Sequence, residues 1–248
     1  MFFSVTTGMS GKRGNVFRYA ALDSREKMTR HLHRDLESLE QDLLAQGSLI
    51  EQMIQIASKA LRNRHSDLFE KLMRNEDAVN HQEVEIEEEC LKLLALHQPV
   101  AVDLRRVATV LKVNGDLERI ADLAVNIGER SHSLLAHTSF PPPDDIDQMS
   151  EVATSMVRDA LDAFVKWDVE MARDVCLRDD VVDDLNRSVI SEIVRLVESD
   201  TAQIHPALHF FSASRHLERI ADHATNIAED VIYLVDGEIA RHKHDEIE

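Results

Sequence analysis

The chain has 248 residues, with 28 Lys and Arg against 46 Asp and Glu, and so a formal charge of −18. That balance argues against a nucleic-acid binder, which needs a basic surface to release phosphate counterions, and against docking on an anionic membrane leaflet. Glycine (7), proline (5) and aromatic residues (4%) are scarce, while 44% of residues are hydrophobic and 30% charged. This is the composition of long amphipathic helices, and no apolar run of about 18 residues is there to span a bilayer.

Residues 1–22 hold no apolar block of signal-peptide length and carry their basic residues late, so they read as a flexible extension. Asp23 and Ser24 offer caps for a helix over about residues 25–64. Its Leu32, Leu36, Leu39, Leu43, Leu44, Ile50, Met53, Ile54, Ala57 and Leu61 keep a spacing of three and four. Gly47-Ser48 is a weak spot, but one interior glycine costs only about 1 kcal/mol, so one helix is expected. Ser66 and Asp67 restart the pattern to about His97, and Pro99 is placed in the first turn of a third helix over about 100–136. Three consecutive prolines within residues 139–145 (SFPPPDD) cannot continue a helix and mark a linker. Three more helices follow, over about 146–166, 168–199 and 203–235, with Gly237 placed to end the last.

Residues 117–129 read LERIADLAVNIGE, and residues 217–229 read LERIADHATNIAE. Ten of the thirteen positions are identical, so the chain carries an internal repeat. Upstream, Glu76-Asp77-Ala78-Val79-Asn80 matches Asp179-Asp180-Val181-Val182-Asp183 on the second helix of each half. The fold class follows: all-α, a tandem pseudo-symmetric pair of three-helix bundles.

At about 100° per residue, Glu118, Asp122, Asn126 and Glu129 share one stripe of the third helix, opposite Leu117, Ile120, Ala121, Ala124 and Ile127. Glu218, Asp222, Asn226 and Glu229 repeat it in the last helix. A single such stripe is an ordinary solvated face; two copies in register, each beside an acidic second helix, point to a cation between them. Glu76, Asn80, Glu83 and Glu87 form that second-helix stripe in the first half, and Asp179 with Asp183 in the second. Oxygen donors of this kind favour Mg, Mn, Fe or Ca on a water-accessible outer surface. Arg119 and Arg219 read as salt-bridge partners of the same carboxylates. His205, His209, His216 and His223 lie off the stripe and read as surface or boundary residues. Phe210, Phe211 and Trp167 read as packing anchors, and Cys90 and Cys176 as small buried hydrophobes in a reducing compartment. No nucleophile with a base, P-loop or dinucleotide fingerprint is present.

The two LERIAD…NI copies, each preceded by an acidic (E/D)DxV(N/D) run, resemble the PhoU family. Residues 160–168 (ALDAFVKWD) and 103–105 (DLR) share the likeness, which extends from about residue 28 to about 241. The resemblance implies a first PhoU repeat over 23–138, a linker over 139–145 and a second repeat over 146–240, commonly in a homodimer. It implies metal clusters holding divalent or trivalent ions (Fe, Mn, Mg or Zn). Carried onto this sequence, the ligands are Glu76, Asn80, Glu118 and Asp122, then Asp179, Asp183, Glu218 and Asp222. Asn80 stands where the second copy has Asp183, so fewer or weaker metals are expected in the first site. The implied function is a cytoplasmic, non-enzymatic regulator of phosphate uptake and negative regulator of the phosphate-starvation response. Its implied partners are the ATPase subunit of the phosphate ABC transporter and a phosphate-sensing histidine kinase, with no nucleic acid and no membrane insertion. The alternative is a metal-dependent phosphate-ester or polyphosphate enzyme using the same carboxylates.

Overall fold

Helix α1 spans Gly11–Asn63 without interruption. Gly47 sits inside it, where a Cβ would meet the Leu161 side chain. The glycine therefore marks a close approach between helices, not a break. The computed structural model describes residues 30–64, 68–137 and 140–237 in full, and the helical backbone alone for 11–29 and 66–67. The extension expected over residues 1–22 falls outside the described residues up to residue 10, and α1 begins at Gly11.

The first half continues with α2 (Ser66–His97) and α3 (Ala101–Ser133), which ends in a 3-10 turn, Leu134–Ala136. The second half comprises α4 (Ile146–Lys166), α5 (Val169–Ser199), a 3-10 turn Thr201–Gln203 and α6 (Ile204–Asp236). Pro99 differs from expectation: it lies before the Val100 cap, outside α3, because the chain reverses through left-handed Gln98 (φ 46°) and Ala101 (φ 50°). Gly237 does cap α6 in the left-handed region (φ 75°), as placed from sequence. At the α4–α5 junction Trp167 takes a left-handed conformation (φ 56°), and the Asp168 side chain then accepts from the Met171 amide (3.0 Å) to start α5.

The two three-helix bundles expected from the repeat are present, and they are fused side by side. One continuous core runs through both halves. Its centre is the pair α3 and α6, packed antiparallel: Lys112 reaches Asp230 (2.7 Å), and Asp116 reaches His223 (2.8 Å). Helices α1 and α4 pair antiparallel too, with Gly47 under Leu161 and Arg158 on Glu51 (2.7 Å). The second helices, α2 and α5, lie outside this arrangement, each packed on the other two helices of its own half. The linker is part of the core: Phe140 is buried and stacks on Phe210 (centroids 5.5 Å apart), and its carbonyl accepts from Arg64. Phe211, expected to anchor the packing, is 40% exposed instead, because it lies one position round the helix from Phe210. Among the described residues no helix is long and apolar enough to cross a membrane.

Candidate metal centres

In each half the repeated carboxylates line the seam between the second and third helices. In the first half Glu76 feels the charges of Asp122 and Glu129, and Glu118 that of Glu83. The Asn114 side-chain amide donates to the Glu83 carbonyl (2.9 Å) and fixes this register. In the second half Asp179 feels Asp222, Asp183 and Glu218. Side-chain exposure is only 27% for Glu118 and 16% for Glu218. These two side chains sit in half-closed clefts against the second helices, while Asp122 is 40% exposed and Asn80, Glu129 and Asp222 are exposed, so the rest of the stripe keeps the water-accessible face expected from the helical wheel. A wheel fixes the direction away from the core but not the neighbouring helix standing on that flank. The two stripes also diverge at their ends. Glu129 is exposed, whereas Glu229 is buried and acts on the Cys176 thiol. Asn80 is exposed beside the first seam.

The clefts store repulsion. Burial first, then Asp122, Asp77 and Glu129, raises the Glu76 carboxyl above its ordinary value. Glu118 is raised by burial and then by Asp122, with Arg119 opposing. Glu218 is raised by burial, with Arg215 opposing. Asp179 shows the largest effect: burial, then Asp222, Asp183, Asp180 and Glu218, pushes it up to about 6. Burial and adjacent carboxylates likewise push both thiols up to about 12, so Cys90 and Cys176 stay protonated near neutrality.

Arginines already stand on these carboxylates. Arg119 lies 3.3 Å from Glu118 and 3.9 Å from Asp122, as expected from sequence. In the second copy the pairing differs: Arg215, one helical turn earlier, pairs with Glu218. Two contacts crossing between the repeats escaped sequence reasoning. His223 bonds Asp116 rather than lying idle at the surface, and Lys112 bonds Asp230 and lies over the Tyr233 ring at 5.3 Å. Glu40, 7% exposed, is met by Arg106 (2.6 Å), whose guanidinium also covers Trp167 at 5.6 Å. No sequence periodicity announces these pairs, since each joins helices far apart in the chain.

Among the described residues no three His, Cys, Asp or Glu side chains already stand in metal-ligand geometry. The chemistry of the clefts nonetheless fits a hard cation. The donors are oxygens, their charges repel one another, and a guanidinium fills the cation's part in each copy.

A family model described as "PhoU domain" matches residues 43–131 and again 146–231. The chain belongs to the PhoU family. The two matches coincide with the two copies of the carboxylate cleft, so each PhoU domain contributes one. The chain is 37% identical over 213 residues to the phosphate-specific transport system accessory protein PhoU homolog of Aquifex aeolicus, covering 86% of this chain and 96% of that protein. It is 34% identical over 212 residues to the homolog from Clostridium acetobutylicum, covering 85% and 97%. The crystal structure of PhoU from Pseudomonas aeruginosa superposes with a TM-score of 0.80 at 37% identity, over 83% of this chain and 99% of that one. The phosphate transport system regulatory protein PhoU from Streptococcus pneumoniae gives 0.78 at 29% identity, over 84% and 98%.

Proposed function

We propose that this chain is a non-enzymatic accessory regulator of phosphate-specific transport. It acts in the cytoplasm as a homodimer, linking the ATPase subunit of a phosphate ABC transporter to a phosphate-sensing histidine kinase and repressing the phosphate-starvation response. The observation that carries this reading is the pair of PhoU domains, together with relatives matched over nearly their whole length and named as accessory proteins of that transport system. The surface supports a docking role. Ile204, Leu208 and Phe211 expose 48%, 57% and 40% of their area at i, i+4 and i+7, one unpartnered stripe of α6. Affinity purification from phosphate-fed cells should recover the transporter ATPase and the kinase with the wild-type chain. The double variant Leu208→Asp, Phe211→Asp should lose at least one of them while keeping its helical spectrum. A wild-type chain that recovers neither partner would refute the reading.

Within it, the clefts are cation sites. Glu76, Asn80, Glu118 and Asp122 would hold one metal centre, and Asp179, Asp183, Glu218 and Asp222 the other, taking Fe, Mn, Mg or Zn. A bound cation would neutralise the cleft and tie the outer helix of each half to the central pair. Elemental analysis should find metal in the purified protein that falls by about half in Glu118→Ala and again in the double variant with Glu218→Ala. An unchanged metal content in the double variant would overturn the ligand assignment. Phosphate release from esters by the loaded protein would instead point to the alternative enzyme.

A further inference from the structure

Helix α1 is 53 residues long, against 32 for α2, 33 for α3 and 21 for α4. Its surplus lies at one end. His97, the last residue of α2, meets Asp35 (3.3 Å), and Asp103 in the first turn of α3 lies 3.9 Å from His33. Trp167, which ends α4, lies under the Arg106 guanidinium that meets Glu40. Among the described residues α1 therefore loses its neighbours near Leu32, its first buried position. The helix runs on toward Gly11 for about 20 residues, roughly 30 Å, beyond the helices it packs on. Most helical stability comes from packing, so a helix of that length calls for a partner.

Charge sets the same segment apart. Residues 1–34 hold seven Lys and Arg and two Asp and Glu, whereas the other 214 residues hold 21 and 44. Residues 1–22 have no acidic residue, and their sequence sets Lys12, Arg13 and Arg18 around Val16 and Phe17. The body carries the complement. A groove of about 450 Å³ between α1 and α2 is lined by Asp35, Asp42, Glu85, Glu88 and Glu89. Arg34 and His97 meet Asp35, His81 meets Glu85 and Lys92 meets Glu89. No basic side chain among the described residues pairs with Asp42 or Glu88. Burial, then Glu85 and Glu89, raises the Asp42 carboxyl above its ordinary value. At the end of the groove stands the α2–α3 turn, where Leu96 and Val100 are 75% and 73% exposed. These are the most exposed large apolar side chains among the described residues.

We propose that the basic N-terminal part of α1 is a dimerisation arm that lies antiparallel in the acidic α1–α2 groove of a second copy of this chain, each copy holding the other. The arm does not reach its own groove, because the unbroken helix carries residue 12 about 45 Å along the axis from residue 42. Arm against arm would set like charges together, whereas arm in groove sets opposite ones together. A two-fold axis beside residue 27 brings residues 12–18 level with residues 36–42 of the other copy. It also brings residues 16–21 level with residues 33–38, beside the exposed turn. The basic and the apolar parts of the arm thus each meet their complement. The inference rests on the homodimer of the proposed function and names the surfaces that would form it.

The test uses the full chain, with molar mass from light scattering over a dilution series and helical spectra confirming the fold. The arm variant is Lys12→Glu, Arg13→Glu, Arg18→Glu, and the groove variant is Asp42→Lys, Glu85→Lys, Glu88→Lys. Each alone should weaken the dimer at least about tenfold, since three exposed pairs are turned into repulsions. Mixed one to one, the two variants should pair with each other, because each arm then meets a groove of opposite charge. Added salt should weaken the wild-type dimer. An arm variant as dimeric as the wild type would overturn the arm and leave the homodimer to another interface. Variants that stay apart when mixed would overturn the arm-in-groove pairing. A wild type that is monomeric at every concentration would sink both the arm and the homodimer. Arm-dependent sedimentation of that monomer with phosphatidylserine vesicles would assign the segment to an anionic lipid surface instead.

Discussion

Replacing Phe210 by alanine should destabilise the protein by about 3–5 kcal/mol, the range for deleting a fully buried aromatic ring. Phe210 is wholly buried and stacks on Phe140, the residue by which the inter-repeat segment enters the core. The loss therefore falls on both halves: α6 loses an anchor, and the segment after α3 loses the ring that holds it down. For a chain of this size the melting temperature should drop by roughly 2–4 °C per kcal/mol. Phe211→Ala provides the comparison, because Phe211 is 40% exposed and its loss should cost under about 1 kcal/mol. Urea denaturation of the two variants should give well-separated midpoints with similar slopes. Coincident midpoints would show that the stack contributes nothing special.

The second large effect belongs to the acidic clefts. Asp179 is raised to about 6 from an ordinary 3.8, so the folded state holds its proton more tightly than the unfolded chain does. A group raised in this way adds stability only while it stays protonated. Its contribution is full below about pH 4 and is lost as pH climbs from about 4 to about 6. At neutral pH the metal-free protein therefore carries the uncompensated repulsion of Asp179 against Asp222, Asp183 and Glu218. Asp179→Asn removes one charge and keeps the shape. With allowance for partial solvent screening, it should stabilise the metal-free protein at pH 7 by about 1–2 kcal/mol. The gain should vanish at pH 4, where the carboxyl is already neutral. Saturating Mn²⁺ should stabilise the wild type more than the variant, since the cation relieves the same repulsion. Melts at pH 4 and pH 7, with EDTA and with Mn²⁺, decide it; a variant less stable than wild type in EDTA at pH 7 would contradict the account.

Most of the helical plan was legible because it rests on local rules. Spacing of three and four placed Leu36, Leu39, Leu43, Ile50 and Met53 in the core, and all are fully buried. The proline cluster and Gly237 marked real ends of helices. The family resemblance and the repeat held too, because thirteen residues in register carry more information than any one motif. What was not legible depends on partners distant in sequence. A wheel could not show that Glu229 turns inward while Glu129 stays wet, since that depends on how α5 sits against α6. Arg219 acts on Asp222 of its own motif as expected, but nothing in the sequence singled out Arg215, which pairs with Glu218 at i, i+3. His223 looked idle until antiparallel α3 brought Asp116 opposite it.

The antiparallel α3–α6 pair also says something about ancestry. Each half's central helix forms part of the other half's core, so a lone half would leave its alanine-rich face bare. The simplest forerunner is a three-helix chain that paired with an identical copy about a two-fold axis, each patch meeting itself. Under exact symmetry, every contact between the copies would occur twice. Two do not: the mirror positions of Lys112 and Asp230 are Ser212 and Arg130, and those of Asp116 and His223 are His216 and Leu123. Such one-sided pairs can arise only after the copies are free to mutate separately. They give the α3–α6 pair two different ends.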